Sequence, residues 1–160
     1  MSVEQARSGD KDRFILLEAG KARPGRIPVP PAFSVKANSH DTGGSFSLLE
    51  VTLAREIPRH VHHKADEFIY VLEGELAVDF DGESHTATAG MSVLLPYGVP
   101  HALGPGAGRP PRVLQISSPG GWEYYIEDLI EAGPAVTTNG RFDPGKINQI
   151  AARYDITYEE

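Results

Sequence analysis

The amino-acid sequence predicts an all-β fold, a sandwich or barrel of short antiparallel strands that is followed by short helices. Glycine and proline are abundant, with 17 and 13 copies among 160 residues, so turns are frequent. From Ser45 onward, short apolar stretches recur between turn signals, at the spacing typical of antiparallel sheets. Near the C-terminus these frequent turn signals are replaced by apolar residues at helical spacing.

The predicted strands are each bounded by glycine, proline or a polar turn. One of them alternates Leu76, Val78 and Phe80 with acidic or small residues, which indicates one solvent-exposed face. The Asp81–Gly82 pair that follows it is a strong hairpin signal. The stretch "REIPR" is predicted to be a bend. In chain order, the strands are "FILLEAG", "AFSVKAN", "SFSLLEVTLA", "HVH", "EFIYVLEG", "ELAVDFDG", "ESHTATAG", "MSVLLP", "HALG" and "RVLQISS".

Two helices are predicted after the last of these strands. The first lies in "GGWEYYIEDLIEAG" and is closed by Gly133. The second lies in "DPGKINQIAARYDI", where Asp143 is the N-cap and Pro144 takes the first helical position. The second helix carries an apolar stripe with helical spacing, formed by Ile147, Ile150, Ala151 and Tyr154. We expect both helices to pack against the outside of the β-structure.

The chain is predicted to be one domain with an N-terminal arm (1–30), a β-barrel (31–120) and a C-terminal helical extension (121–160). A net charge of −7 argues against nucleic-acid binding, which needs a basic face. The absence of cysteine excludes disulfides, thiolate ligands and a thiol nucleophile. Neither a signal peptide nor a membrane-spanning stretch is recognisable, so we expect a soluble cytoplasmic protein that binds no membrane.

The most informative stretch is "RHVHHKADEFIYVLEG", residues 59–74, which holds three of the six histidines. Strand side chains alternate between faces, so His60 and His62 point the same way and His63 points the opposite way. A turn before Glu67 breaks the alternation and lets its carboxylate face the same interior. His101, which follows the tight turn in "PYGVPH", is expected to supply a fourth ligand.

This set of three imidazoles and one carboxylate predicts a metal site formed by His60, His62, Glu67 and His101. Such donors suit iron, manganese, nickel, copper, cobalt or zinc, whereas calcium and magnesium prefer oxygen ligands. We therefore expect one divalent transition metal ion as the cofactor.

Two motifs in this region resemble those of the cupin superfamily. "HVHHKADEFIYVLEG" has the pattern of the first cupin motif, and "GMSVLLPYGVPH", residues 90–101, has the pattern of the second. Fifteen residues separate Gly74 from Gly90, as in small microbial cupins. The overall layout, including the segment "PGGWEYYIEDL", also resembles quercetin 2,3-dioxygenase-like cupins.

The resemblance implies a conical cupin β-barrel, or jelly roll, with the metal held inside by the four predicted ligands. It further implies a dioxygenase that acts on a small oxygen-bearing molecule such as a flavonol or a diketone, with Glu67 as the catalytic base. A homodimer is expected on the same ground.

Two other functions fit the same metal ligands. One is a redox-neutral cyclase, isomerase or decarboxylase that uses the ion as a Lewis acid. The other is a cupin that binds a small molecule without catalysis. Among neighbouring side chains, Ile69 and Val71 are predicted to line the cavity, whereas the orientation of Gln115 is not decided by strand parity alone.

Overall fold

The computed structural model describes residues 9–160, which form two five-stranded antiparallel sheets and two α-helices. The first sheet has the strand order β1-β2-β9-β4-β7, and the second has the order β12-β3-β8-β5-β6. The strands are β1 (Phe33–Ala37), β2 (Ser47–Thr52), β3 (Ile57–His62), β4 (Asp66–Glu73), β5 (Glu75–Phe80), β6 (Glu83–Thr88), β7 (Ser92–Leu95), β8 (His101–Pro105), β9 (Arg112–Ser118), the short hairpin strands β10 (Thr137–Thr138) and β11 (Arg141–Phe142), and β12 (Ile156–Tyr158).

The predicted all-β class is confirmed. The two sheets face each other in a jelly-roll-like arrangement and do not close into a continuous barrel. Between them lies an apolar core, and the alternation of inward and outward residues is clearest in Ser47–Thr52, where every second residue is buried. The largest fully buried aliphatic side chains of this core are Leu49, Ile69, Leu76 and Leu95.

Three local predictions were wrong. "FILLEAG" forms no strand, and its Phe14 and Leu16 side chains are 77% and 83% exposed, because no neighbouring strand pairs with them. The predicted bend "REIPR" contributes its last three residues to β3, whose register with β8 is irregular between Ile57 and His60, around a proline that has no N–H to donate. The predicted second helix ends early, and β12 follows it.

Both helices begin or end as their flanking residues predict. Helix α1 (Trp122–Ala132) is closed by Gly133 at φ +55°, whose N–H donates to the carbonyls of the last turn. Helix α2 (Pro144–Ala151) starts after Asp143, whose carboxylate accepts a hydrogen bond from Lys146 N at 3.2 Å. Within residues 9–160, no helix has both the length and the apolar character needed to cross a bilayer.

A second apolar core lies under the helices, outside the space between the sheets. Its buried members come from both helices, from the turn after α1 and from β12, so the last strand ties the helical segment to the second sheet. The buried members are Tyr125, Val136, Ile147, Ala151, Ile156 and Tyr158.

The N-terminal arm is fixed to helix α1 by a buried carboxylate. Glu127 Oε2 accepts hydrogen bonds from the backbone N–H groups of Arg26 at 2.6 Å and Ile27 at 3.1 Å. The arm contains a single 3-10 turn (Lys11–Arg13) among its described residues, and residues 1–8 of the predicted arm lie outside the described part. The homodimer expected from the resemblance stays a prediction.

Two tight turns provide a test of backbone strain. Gly74 and Gly90 both adopt positive φ, +80° and +89°, where an L side chain is disfavoured. A Cβ at position 74 would lie 3.0 Å from Pro111 Cα, whereas a Cβ at position 90 would meet nothing within 4 Å. We expect Gly90→Ala to lower the free energy of unfolding by about 1–2 kcal/mol through strain alone.

Gly74→Ala should lower the free energy of unfolding further, by about 1 kcal/mol or more beyond the loss in Gly90→Ala, because the backbone at Pro111 has to move. Equilibrium urea unfolding of the two variants measures the difference. Equal losses of unfolding free energy in the two variants would contradict the steric contact between a Cβ at position 74 and Pro111.

Candidate metal centre

The four side chains predicted as ligands meet in the interior between the two sheets. One donor atom each from His60, His62, Glu67 and His101 lies within 4.8 Å of every other, so this group could hold a metal ion. All four residues are buried, with exposed fractions between 1% and 5%. The fold therefore brings together the four residues that the sequence motifs predicted as ligands. Glu67 reaches the group from the opposite sheet.

The paired strands β3 and β8 position the histidines. His60 and His101 are direct register partners, and their ring centroids are 4.4 Å apart. His62 is two residues further along β3 on the same face, with its ring centroid 4.9 Å from that of His60. The chain then crosses to the first sheet through residues 63–65, and β4 presents Glu67 from the other side. Because the chain changes sheets at this turn, Glu67 faces the histidines despite its odd spacing.

Backbone carbonyls fix the ring orientation of two histidines. His60 Nδ1 donates to Pro58 O at 2.7 Å, and His101 Nδ1 makes a longer contact with Val99 O at 3.4 Å. A carbonyl oxygen only accepts, so Nδ1 carries a proton in both rings, and in a neutral His60 ring Nε2 then carries a lone pair. Hydrogen bonds of this kind orient histidine ligands in metal sites.

The donor atoms that point inward lie so close together that hydrogen bonds among them cannot pair every atom. His62 Nε2 lies 3.1 Å from His60 Nε2 and 2.5 Å from Glu67 Oε1, and a single proton on His62 Nε2 cannot serve both contacts well. Glu67 Oε1 is also 3.3 Å from His101 Nε2. These last two atoms are buried and, despite the short distances, have no hydrogen bond of good geometry within residues 9–160. A divalent transition metal ion satisfies such a donor set, so the residues present fit the cofactor.

The electrostatics of the site favour the protonation states that metal ligands need. Burial is the largest of the effects that lower the pKa of His60 to about 3, and repulsion from the neighbouring His101 and His62 rings acts in the same direction. Burial opposes ionisation of Glu67, but the contacts with His62 and His101 prevail and hold its pKa well below the usual value. At neutral pH His60 is therefore an uncharged imidazole and Glu67 a carboxylate.

Two neighbouring groups support the ligands, and the sequence pattern did not reveal how. Gln115 on β9 is buried, and its Nε2 donates to Glu67 Oε2 at 3.2 Å, so its side chain faces the interior. Tyr158 on β12 stacks on His60, with ring centroids 4.8 Å apart, and Tyr125 donates to its hydroxyl at 2.9 Å. Since β12 was not predicted, no sequence signal placed Tyr158 beside a ligand.

The remaining side chains of the first motif lie outside the cluster. His63 is exposed, and its Nε2 contacts Thr157 Oγ1 at 2.9 Å. Asp66 accepts a hydrogen bond from Tyr97 N at 2.9 Å and so holds the turn that precedes His101. Ile69 and Val71 face the interior as predicted, with exposed fractions of 2% and 0%.

Comparisons with known proteins match part of the chain to a described family and to two curated proteins. Residues 48–114 match the family described as Cupin domain. The chain is 35% identical over 60 residues to "Polyketide synthase CurC" of Streptomyces cyaneus, an alignment that covers 38% of this chain and 39% of that protein. It is 34% identical over 71 residues to "Quercetin 2,3-dioxygenase" of Bacillus subtilis (strain 168), an alignment that covers 43% of this chain and 21% of that protein. The chain thus spans well under half of the length of these two curated relatives.

Solved structures that resemble the chain include KdgF from Halomonas sp. and ectoine synthase from P. lautus. The first has a TM-score of 0.49 and 18% identity, and the match covers 61% of this chain and 88% of that one. The second has a TM-score of 0.49 and 23% identity, with 60% and 69% covered. Both sequence motifs, residues 60–74 and 90–101, lie within the segment 48–114 that matches the family described as Cupin domain.

Proposed function

We propose that this protein is a cupin and a metal-dependent dioxygenase of a small oxygen-bearing organic substrate, such as a flavonol or a diketone. The observation that carries the proposal is the convergence of three imidazoles and one carboxylate, all buried, on one point of the interior. The local similarity to quercetin 2,3-dioxygenase supports the class of reaction.

In this proposal His60, His62, His101 and Glu67 hold the ion through the atoms that converge in the structure. A redox-active divalent ion bound there would supply Lewis acidity toward a substrate oxygen together with access to dioxygen chemistry. The carbonyls of Pro58 and Val99 keep two of the rings turned inward, so the site is organised before the ion arrives.

Glu67 is the proposed general base. Its Oε2 accepts the hydrogen bond from Gln115, so Oε1, on the side of the histidines, is the atom that would loosen from the ion and take the proton. The acidic hydrogen of an enol or a phenol is within the range that a buried carboxylate can remove when the product anion is stabilised nearby. Glu67 thereby prepares the substrate anion on which oxygen chemistry depends.

Apolar walls keep bulk water away from this reaction. Leu95 is the register partner of Glu67, and Leu49 is that of Gln115. Ile69 and Leu103 lie two residues from Glu67 and His101 on their strands, and all four apolar side chains have exposed fractions of 7% or less. A dry surrounding strengthens the attraction between the charged groups of the site and protects a reactive substrate anion from water.

Oxygen consumption tests the proposal directly. We expect metal-loaded protein to consume dioxygen in proportion to the flavonol or diketone that it converts, with both oxygen atoms appearing in the products by mass spectrometry after ¹⁸O₂ labelling. Elemental analysis of protein purified from its native host identifies the ion to load.

The same assay separates the alternatives that share these ligands. Turnover at an unchanged rate under strict anaerobiosis would replace the dioxygenase by a redox-neutral cyclase, isomerase or decarboxylase. Saturable binding of the substrate without any conversion would instead identify a small-molecule-binding cupin.

A further inference from the structure

A row of polar side chains crosses the first sheet beside Glu67. Ser47 is the direct register partner of Ser117, and Ser117 is in turn the partner of Glu67, so the three lie side by side on β2, β9 and β4. Directly paired residues of neighbouring antiparallel strands have Cβ atoms about 5 Å apart. All three are buried, with exposed fractions of 0%, 2% and 3%. The row therefore forms one continuous polar strip on an otherwise apolar inner face.

Gln115 extends this row and connects it to Glu67. Its amide nitrogen donates to Glu67 Oε2 at 3.2 Å and to Ser117 Oγ at 2.8 Å. Because a carboxylate only accepts hydrogen bonds, the amide must turn its NH₂ group toward Glu67. Both protons of Gln115 are thus engaged, and its carbonyl oxygen Oε1 points away from these partners.

Besides Glu67 Oε1, which faces the histidines, two atoms of this strip have no hydrogen-bond partner within the described residues, Ser47 Oγ and Gln115 Oε1. An unsatisfied buried polar atom costs about 1–3 kcal/mol, and most buried polar side-chain atoms in folded proteins are paired. Aliphatic side chains would fill the same space without this cost. A ligand that supplies the missing hydrogen bonds would account for polar residues at both positions.

The position and chemistry of these atoms define what the ligand must offer. The oxygen and nitrogen of one amide are separated by about 2.3 Å, so Gln115 Oε1 lies within about 5.5 Å of Glu67 Oε2. The amide oxygen only accepts, which requires a hydrogen-bond donor on the ligand, whereas Ser47 Oγ can donate or accept. A second hydroxyl group next to the one that Glu67 deprotonates meets these requirements.

We propose that Ser47 and Gln115 form the substrate-recognition wall of the site and select small enols or phenols that carry two neighbouring hydroxyl groups. This inference rests on the proposed function only for the role of Glu67 as the base. The first hydroxyl group lies at Glu67, and the second donates to Gln115 Oε1 and contacts Ser47 Oγ. Ser117 is a positioning residue, since it holds the amide of Gln115.

Binding of catechol and guaiacol tests the wall, because methylation of one hydroxyl in guaiacol removes the second donor. Calorimetry gives the ratio of the two dissociation constants for metal-loaded and metal-free protein. We expect the preference for catechol to fall about three- to tenfold in both Ser47→Ala and Gln115→Met, the loss of one net hydrogen bond. Ser118→Ala is the matched control: it removes a hydroxyl from β9 that is exposed and bonded to Ser45 O, and it should keep the wild-type ratio.

The possible outcomes test the substrate-recognition wall independently of the proposed function. An unchanged ratio in both variants overturns the wall, even if the wild-type protein is an active dioxygenase. A change in unfolding free energy without a change in the ratio also overturns it, since buried water would then satisfy the two atoms. A wild-type protein that binds no metal contradicts the proposed function, whereas the ratio in metal-free protein still tests the wall. If Gln115→Met does not fold, Ser47→Ala decides, because Glu67 keeps its hydrogen bond from Gln115 in that variant.

Discussion

The His62→Ala variant is expected to lose bound metal and catalytic activity together. His62 Nε2 is the central donor atom of the cluster, in contact with both His60 Nε2 and Glu67 Oε1. Its removal leaves two imidazoles and one carboxylate around a cavity that alanine does not fill. Even the loss of a group that merely orients a ligand lowers metal affinity about 10- to 100-fold, so the loss of a ligand should exceed that. Elemental analysis after dialysis should find much less than one ion per chain.

The neighbouring His63→Ala variant provides the matched control. His63 is the next residue in the chain and has the same side chain, but it is exposed and contacts Thr157 rather than the cluster. We expect this variant to keep both its metal and its activity. Near-UV and far-UV circular dichroism of both variants establishes that they fold. Stoichiometric metal in folded His62→Ala would refute the ligand assignment.

Local signals in the sequence were sufficient for most of the secondary structure. Asp81 and Gly82 adopt positive φ, +50° and +86°, in the hairpin between β5 and β6 that the pair predicts. Asp143 and Gly133 bound their helices as predicted, because a cap depends on a few residues that are adjacent in the chain. These features need no knowledge of the rest of the fold.

The grouping of the candidate ligands was also predictable, although it involves residues far apart in the chain. Strand parity places His60 and His62 on one face, and the second motif places His101 at the start of a strand. Strand parity did not explain why Glu67 faces the histidines, because its orientation depends on the change of sheet between β3 and β4. The spacing of the whole motif carried information that a single strand does not contain.

Long-range pairing accounts for what the sequence did not reveal. Strand β12 has three residues, too few for a periodic signal, and it exists because it pairs with β3 far earlier in the chain. Its residue Tyr158 stacks on His60 only as a result of this pairing. Gln115 was undecided for a related reason: its hydrogen bond to Glu67 depends on the register of β9 against β4, where Gln115 faces Ile69.

Glu67→Gln should separate metal binding from catalysis. The amide has nearly the shape of the carboxylate, and three imidazoles remain to hold the ion, so we expect the variant to keep much of its metal at saturating concentration. Its affinity should fall, because turning the amide oxygen toward the ion brings its NH₂ group against the NH₂ of Gln115. An amide cannot accept the substrate proton, and loss of a general base typically lowers the turnover rate by about 10²–10⁴.

Turnover and metal content therefore have to be measured on the same preparation. Glu73→Gln is the appropriate control, since Glu73 is on the same strand with an exposed side chain that pairs with Arg112, and its turnover should match the wild type. Wild-type turnover in metal-loaded Glu67→Gln would reject Glu67 as the base and leave it only the role of a ligand. A turnover rate that falls in proportion to metal content would lead to the same conclusion, because the rate per bound ion would then equal that of the wild type. Only a folded, metal-loaded and slow variant supports proton removal by Glu67.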